Sequence, residues 1–298
     1  MRYLLFSIIS LLAYSAVAAE SITFGDVTVT KERYTPDCAT VCDRDLIIFV
    51  HGIFGSKETW SNGDTGAYWP QLIIDDTDLA SFDVARIDYE SALIGTAPSI
   101  EEIAKNFNEA IRRLDPTRYR TVQFVAHSLG GNLVKRFLLY IKHKYGHAIL
   151  SHFRLVIFLG TPNDGSYLSS MAKFLSQNQQ LRVLQPIKEN DWLQLLNYSG
   201  EKVRDKHDET LCSSLKWYAA VENRKIGPTL IVSRQSAKAG MDETRTFEED
   251  HISLAKPGST ASPVYLWTKK LFRNCSRGSL CPGSHRSLMK ANCGKRDY

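Results

Sequence analysis

The segment Val122-Gln123-Phe124-Val125-Ala126-His127-Ser128-Leu129-Gly130-Gly131 places one serine where an apolar run breaks into a glycine-rich turn. A buried strand that enters a small-x-Ser-x-Gly turn and leaves as a helix forces the serine into a strained conformation and projects its hydroxyl from the sheet edge. Neighbouring side chains must be small, because bulk there would collide with the adjoining strand and helix. Such a hydroxyl is suited to attack a carbonyl carbon once a base removes its proton. The N-terminus of the following helix favours the negative charge that then develops. Ser128 is therefore the candidate nucleophile. An incidental serine in a tight turn would not need the strand and helix that flank it here.

Attack on a carbonyl requires hydrogen-bond donors for the new oxyanion and a base for the hydroxyl proton. Upstream, Phe49-Val50-His51-Gly52-Ile53-Phe54-Gly55 follows another apolar run. A His-Gly turn at a strand's end can present a backbone N–H toward the serine. The expected oxyanion donors are the N–H groups of Leu129 and Ile53, with Phe54 as the alternative to Ile53; each donor is worth about 3–4 kcal/mol. His51 itself reads as a structural residue that positions its loop. The base is expected late in the chain, at His251 in Asp250-His251-Ile252-Ser253-Leu254-Ala255-Lys256-Pro257. His143, His147, His152, His207 and His285 lie in helical, linker or tail contexts that read as solvated surface. The acid that orients the base falls to Glu222, at the end of the strand-like run Trp217–Val221, with Asp242 and Asp250 as rivals. Asp250 is the poorer rival, because adjacent residues on an extended segment point opposite ways.

These residues need a scaffold, and the chain alternates strand and helix patterns. Leu46–Val50, Val84–Tyr89, Val122–Ala126 and Leu155–Leu159 read as strands, three of them rich in Val, Ile and Phe as strands buried on both faces are. Val84–Tyr89 is more mixed, with Arg86 and Asp88. Ser99 with Glu102 forms a capping pattern, after which Ile100, Ile103, Ala104, Phe107, Ala110, Ile111 and Leu114 recur at helical spacing until Asp115-Pro116. A second helix is expected over about 130–145, stopped by Gly146. Trp217–Val221 and Thr229–Val232 resume the strands. The alternation predicts a mostly parallel sheet covered by helices on both faces. Over 163–215 the alternation lapses into amphipathic stretches, an insertion that reads either as a cap over the site or as extra packing at the sheet edge.

The chain has 298 residues and a formal charge of +5. Residues 1–19 carry Arg2, an interrupted apolar run and Ala16-Val17-Ala18-Ala19, which together read as a signal peptide, and predict a secreted or periplasmic protein. The run is too short and broken to span a bilayer comfortably. Six cysteines, Cys38, Cys42, Cys212, Cys275, Cys281 and Cys293, fit disulfides in an oxidising compartment, and their spacing suits no common zinc module. The region 273–298 is a Cys-containing basic tail, read chiefly as solvated and secondarily as a surface for peripheral contact with an anionic membrane. Nucleic acid is not an expected partner, since the tail has no aromatic interleaving. Asn197-Tyr198-Ser199 and Asn274-Cys275-Ser276 fit the glycosylation pattern.

On His51-Gly52-Ile53-Phe54-Gly55, Ala126-His127-Ser128-Leu129-Gly130-Gly131, Gly160-Thr161-Pro162-Asn163-Asp164-Gly165-Ser166 and Asp250-His251, the chain resembles the α/β-hydrolase superfamily, in particular its serine esterases and lipases of the GPI inositol-deacylase-like branch. The resemblance covers roughly Leu46 to Lys256. It implies an α/β-hydrolase domain over 20–272, no cofactor or metal, and hydrolysis of an ester or lipid substrate through an acyl-enzyme on Ser128. The runner-up functions are acyl transfer by the same residues and non-catalytic lipid binding on the same fold. Such enzymes often carry Asp-Gly-x-Val-Pro before a Ser-Ala pair. Here Thr229-Leu230-Ile231-Val232-Ser233-Arg234-Gln235-Ser236-Ala237 has no acid at that place, which moves the acid to Glu222.

Overall fold

The computed structural model describes residues 20–35, 44–52, 55–89, 100–163, 215–227 and 230–277. Over these, strands form at β1 (Glu20–Phe24), β2 (Val27–Arg33), β3 (Asp45–Val50), β4 (Phe82–Tyr89), β5 (Val122–His127), β6 (Phe153–Leu159), β7 (Lys216–Glu222) and β8 (Glu243–Phe247). They make one sheet in the order β1-β2-β4-β3-β5-β6-β7-β8. From β4 onward every neighbouring pair is parallel, while β1–β2 and β2–β4 are antiparallel. Helices α1 (Trp69–Asp75), α2 (Ile100–Arg113), α3 (Leu129–Tyr145), α4 (Arg234–Lys238) and α5 (Pro263–Arg277) accompany the sheet.

The continuous apolar runs follow from burial on both faces. Along β3, Leu46, Ile48 and Val50 join a core with Phe107 of α2 and Phe137 of α3. Ile47 and Phe49 point the other way, into a core with Trp60, Trp69 of α1 and Tyr265 of α5. Successive strand side chains alternate between faces, so a strand covered on both sides must be apolar at every position. In β4 the polar interruptions are paired: Arg86 bonds Asp88 within the strand, Glu32 of β2 and the Tyr68 hydroxyl. Helix α2 stops where Asp115 takes the left-handed conformation (φ 46°), and Gly146 (φ 82°) caps α3.

Two expectations change, and one element is new. Over its described residues, 230–232, the expected strand Thr229–Val232 is not extended pairing backbone. Ile231 and Val232 are buried in the core by their side chains, and the run leads into α4. The place beside β7 belongs to Glu243–Phe247, whose outer residues are exposed. An N-terminal antiparallel hairpin, β1–β2, extends the sheet, turning at Gly25 (φ 55°). His152 is not solvated surface but buried, in the 3-10 turn joining α3 to β6. The signal segment 1–19, the Ser99 cap, the insertion apart from its terminal residues 163 and 215, the tail beyond residue 277, the Asn197 glycosylation pattern and Cys38, Cys42, Cys212, Cys281 and Cys293 lie outside the described residues. Among the described residues no helix is long and apolar enough to cross a membrane.

Candidate active site

Strand β5 lies between β3 and β6, so Ser128 emerges at the C-terminal edge of the sheet's centre. Its backbone (φ 53°, ψ −130°) is one an L-residue adopts only under constraint. The constraint is visible on both sides. The Ser128 N–H donates to the Leu159 carbonyl at 2.9 Å, and α3 starts at the next residue. The turn tolerates no bulk: a Cβ on Gly52 would sit 2.7 Å from Ser128 Cβ, one on Gly130 2.1 Å from the His51 carbonyl oxygen, and one on Gly131 2.3 Å from Thr161 Oγ1. These glycines let the nucleophile helix and the His51 strand end approach backbone to backbone.

The chain that follows β8 brings His251 to this edge. Its Nε2 lies 3.1 Å from Ser128 Oγ, and its Nδ1 lies 2.7 Å from Glu222 Oε2. The acceptor on the carboxylate side fixes the tautomer, with Nδ1–H donating to Glu222 and the Nε2 lone pair facing the serine hydroxyl. All three side chains are buried. The second carboxylate oxygen, Oε1, accepts the Val232 N–H at 2.7 Å, so Glu222 is held at both oxygens. Gly160 (φ +56°) makes room for the pair: a Cβ there would lie 3.0 Å from His251 Nδ1 and 3.3 Å from Glu222 Oε2.

The two rivals for the acid are engaged elsewhere. Asp250 Oδ1 accepts the N–H groups of Ile252 and Ser253, at 2.9 Å each, and so shapes the turn carrying His251. Asp242 Oδ2 accepts the Trp217 N–H at 2.6 Å at the far end of β7. Of the expected oxyanion donors, Leu129 is the first residue of α3, where an N–H has no partner within the helix. Ile53 and Phe54 lie outside the described residues.

His51 is built into its loop. Its Nδ1–H donates to the Gly52 carbonyl at 2.7 Å, its Nε2 accepts the Tyr89 N–H at 3.3 Å, and its ring stacks on Tyr89 at 4.6 Å. Burial pushes its pKa down to about 4, keeping it neutral. One contact escaped the sequence reading. His127 reaches the His251 carbonyl with Nε2 at 2.8 Å, and its ring lies 4.9 Å from that of His251. Burial, then the neighbouring His251, lowers its pKa to about 3. The position between Ala126 and Ser128 accepts many side chains, so no local pattern marks it.

The arrangement is a relay from a buried carboxylate through an imidazole to a hydroxyl, set at a helix N-terminus. Such a relay activates the hydroxyl as a nucleophile toward acyl carbon.

Residues 42–217 match the family described as "Putative serine esterase (DUF676)". Protein SERAC1 of Bos taurus is 24% identical over 258 residues, covering 76% of this chain and 38% of that protein. Protein SERAC1 of Homo sapiens is 23% identical, with the same shares covered. The chain thus spans 38% of the length of these relatives. Among solved structures, the Pyrococcus furiosus esterase PF2001 aligns with a TM-score of 0.52 at 10% identity, covering 88% of this chain and 91% of that one. Carboxylesterase CesB from Bacillus subtilis aligns at 0.50 with 11% identity, covering 88% and 93%. At these identities the likeness is one of fold: a mostly parallel sheet with helices on both faces, the α/β-hydrolase fold.

Proposed function

The chain belongs to the DUF676 family, and from that premise we propose that it hydrolyses carboxylic esters through an acyl-enzyme on Ser128. The observation that carries this reading is the relay itself: 3.1 Å from Ser128 Oγ to His251 Nε2 and 2.7 Å from His251 Nδ1 to Glu222 Oε2. His251 Nε2 takes the hydroxyl proton as Ser128 Oγ bonds to the ester carbon. The carbonyl oxygen, now negative, is received by the Leu129 N–H at the start of α3 and by that of Ile53, or Phe54 in its place. Glu222 steadies the imidazolium without taking its proton. The tetrahedral adduct collapses, the alkoxide leaves with the proton from His251, and a water activated by the same imidazole releases the acid and restores the hydroxyl.

The substrate is an ester or lipid with an acyl carbonyl accessible to the sheet edge. Export is part of the same reading and is supported by the signal-peptide pattern over residues 1–19. Disulfide tethering is supported by Cys275, which is fully buried and not a free thiol. Contact of the basic tail with anionic membrane remains a secondary proposal.

The test is a fluorophosphonate probe together with p-nitrophenyl esters of increasing chain length. The expected result is one labelled serine, at Ser128, and hydrolysis that disappears in Ser128→Ala while the thermal unfolding curve stays cooperative. Hydrolysis retained by Ser128→Ala removes the assignment.

A further inference from the structure

Two consecutive residues grip the candidate base. Ser128 meets the side chain of His251, and His127 meets its main chain, the Nε2 of His127 lying 2.8 Å from the His251 carbonyl oxygen. We propose that His127 is a positioning residue for the general base, its ring N–H anchoring the peptide of His251 so that the imidazole reaches Ser128 and Glu222 together. The inference rests on the esterase reading of Ser128 and His251.

The direction of the bond is fixed by chemistry. A carbonyl oxygen only accepts, so Nε2 of His127 carries the proton. Asp250 also helps to hold the turn around His251. Asp250 Oδ1 takes the N–H groups of Ile252 and Ser253, and the Asp250 carbonyl takes the Leu254 N–H at 3.0 Å. The Ile252 N–H and the His251 carbonyl are the two sides of one peptide, so Asp250 holds that peptide by its N–H and His127 holds it by its carbonyl. The His251 ring must satisfy two partners at once, one on each nitrogen, across 2.7 and 3.1 Å. A tilt of its peptide swings the Cα–Cβ axis and lengthens at least one of those distances. Tying the carbonyl to the residue that precedes the nucleophile makes the nucleophile and base move as one body. His127 also stays neutral beside its partner: burial, and then the neighbouring His251, oppose a second proton on its ring. A cation at that place would oppose the imidazolium that the reaction forms.

The experiment compares His127→Leu, which removes the donor, with His127→Gln, whose amide nitrogen reaches a similar point and keeps an N–H. Two readouts are taken. One is the low-field proton NMR signal of the His251 Nδ1–H in its bond to Glu222, assigned by its absence in His251→Asn. The other is the rate of fluorophosphonate labelling at Ser128. The expected result is that His127→Leu broadens or shifts the signal and slows labelling about 100-fold, the scale of a misplacement near 1 Å. His127→Gln is expected to restore the signal and to bring labelling within about 10-fold of the unsubstituted protein. Signal and labelling left intact in His127→Leu would overturn the inference, as would a glutamine variant no better than the leucine one. If the unsubstituted protein is not labelled at all, the esterase reading fails, and the NMR comparison still decides the positioning role. Should the leucine variant fail to fold, His127→Asn, polar but too short to reach the carbonyl, takes its place.

Discussion

Replacing Glu222 with glutamine changes one oxygen to an NH2 group and almost nothing else, yet the surroundings make it a severe change. Both partners of the carboxylate are donors: the Val232 N–H on Oε1 and the His251 Nδ1–H on Oε2, each at 2.7 Å. A glutamine has a single acceptor oxygen to offer them. The backbone N–H of Val232 cannot change its role, so the amide oxygen goes there and the NH2 turns toward His251. Nδ1 must then accept, which drives the ring proton to Nε2. That nitrogen faces Ser128 Oγ at 3.1 Å and has no lone pair left to take the hydroxyl proton. A wrong tautomer of this kind lowers kcat by about 10⁴-fold where it has been examined in serine hydrolases. At roughly 1.36 kcal/mol per tenfold, that equals about 5.4 kcal/mol of lost transition-state stabilisation. The assay is kcat/KM for p-nitrophenyl acetate across pH 6–9, with thermal unfolding as the check on folding and Asp242→Asn as the control for loss of an unrelated carboxylate. A glutamine variant within tenfold of the unsubstituted protein, or an Asp242→Asn variant equally impaired, refutes the reasoning.

Gly130→Ala should lower stability by about 3 kcal/mol, at the upper end of overpacking costs, and abolish labelling. The added Cβ meets two backbone carbonyls, His51 at 2.1 Å and Val50 at 2.7 Å, neither able to rotate away. Gly63→Ala, with nothing within 4 Å, should unfold as the unsubstituted protein does in urea, and equal behaviour of the two variants would contradict the packing argument. Stability should also fall with acid through histidines that the fold keeps neutral. His51 and His127 titrate near 4 and 3 in the fold, against 6.5 for an unperturbed histidine. The unfolded chain therefore binds more protons below about pH 6.5, so this contribution is fully present above that pH and is lost as pH falls toward 4. Urea unfolding at pH 6.5, 5.5 and 4.5 should show a dependence that His127→Gln reduces by about one proton; no change on that substitution would refute it.

How far the sequence went depended on how local the determinants were. The serine turn was readable because strand, small residues and helix onset are contiguous over Val122–Gly131, and the same holds for the His-Gly turn after β3. Glu222 followed from its place at a strand end. Its environment could not be read, because the group that holds its second oxygen, the Val232 N–H, lies in a β-branched run that looks like a strand. That run is buried by side-chain packing rather than by pairing, and the two are indistinguishable in a stretch of four residues. Strand β8, Glu-Thr-Arg-Thr-Phe, is half solvated at the sheet edge, and its apolar signal is correspondingly weak. His152 looked solvated because a single imidazole in a turn carries no pattern. His127 was invisible for a different reason: its partner is a main-chain carbonyl 124 positions away.

The backbone of Ser128 has a further meaning for how such a protein changes over time. A glycine at that position would relax the turn, since it adopts a positive φ freely. The same exchange would delete the hydroxyl that lies 3.1 Å from His251 Nε2. The most comfortable residue for the turn is thus an inert one. Screens that reward heat resistance alone should drift toward losing the serine, and with it the hydroxyl that His251 faces.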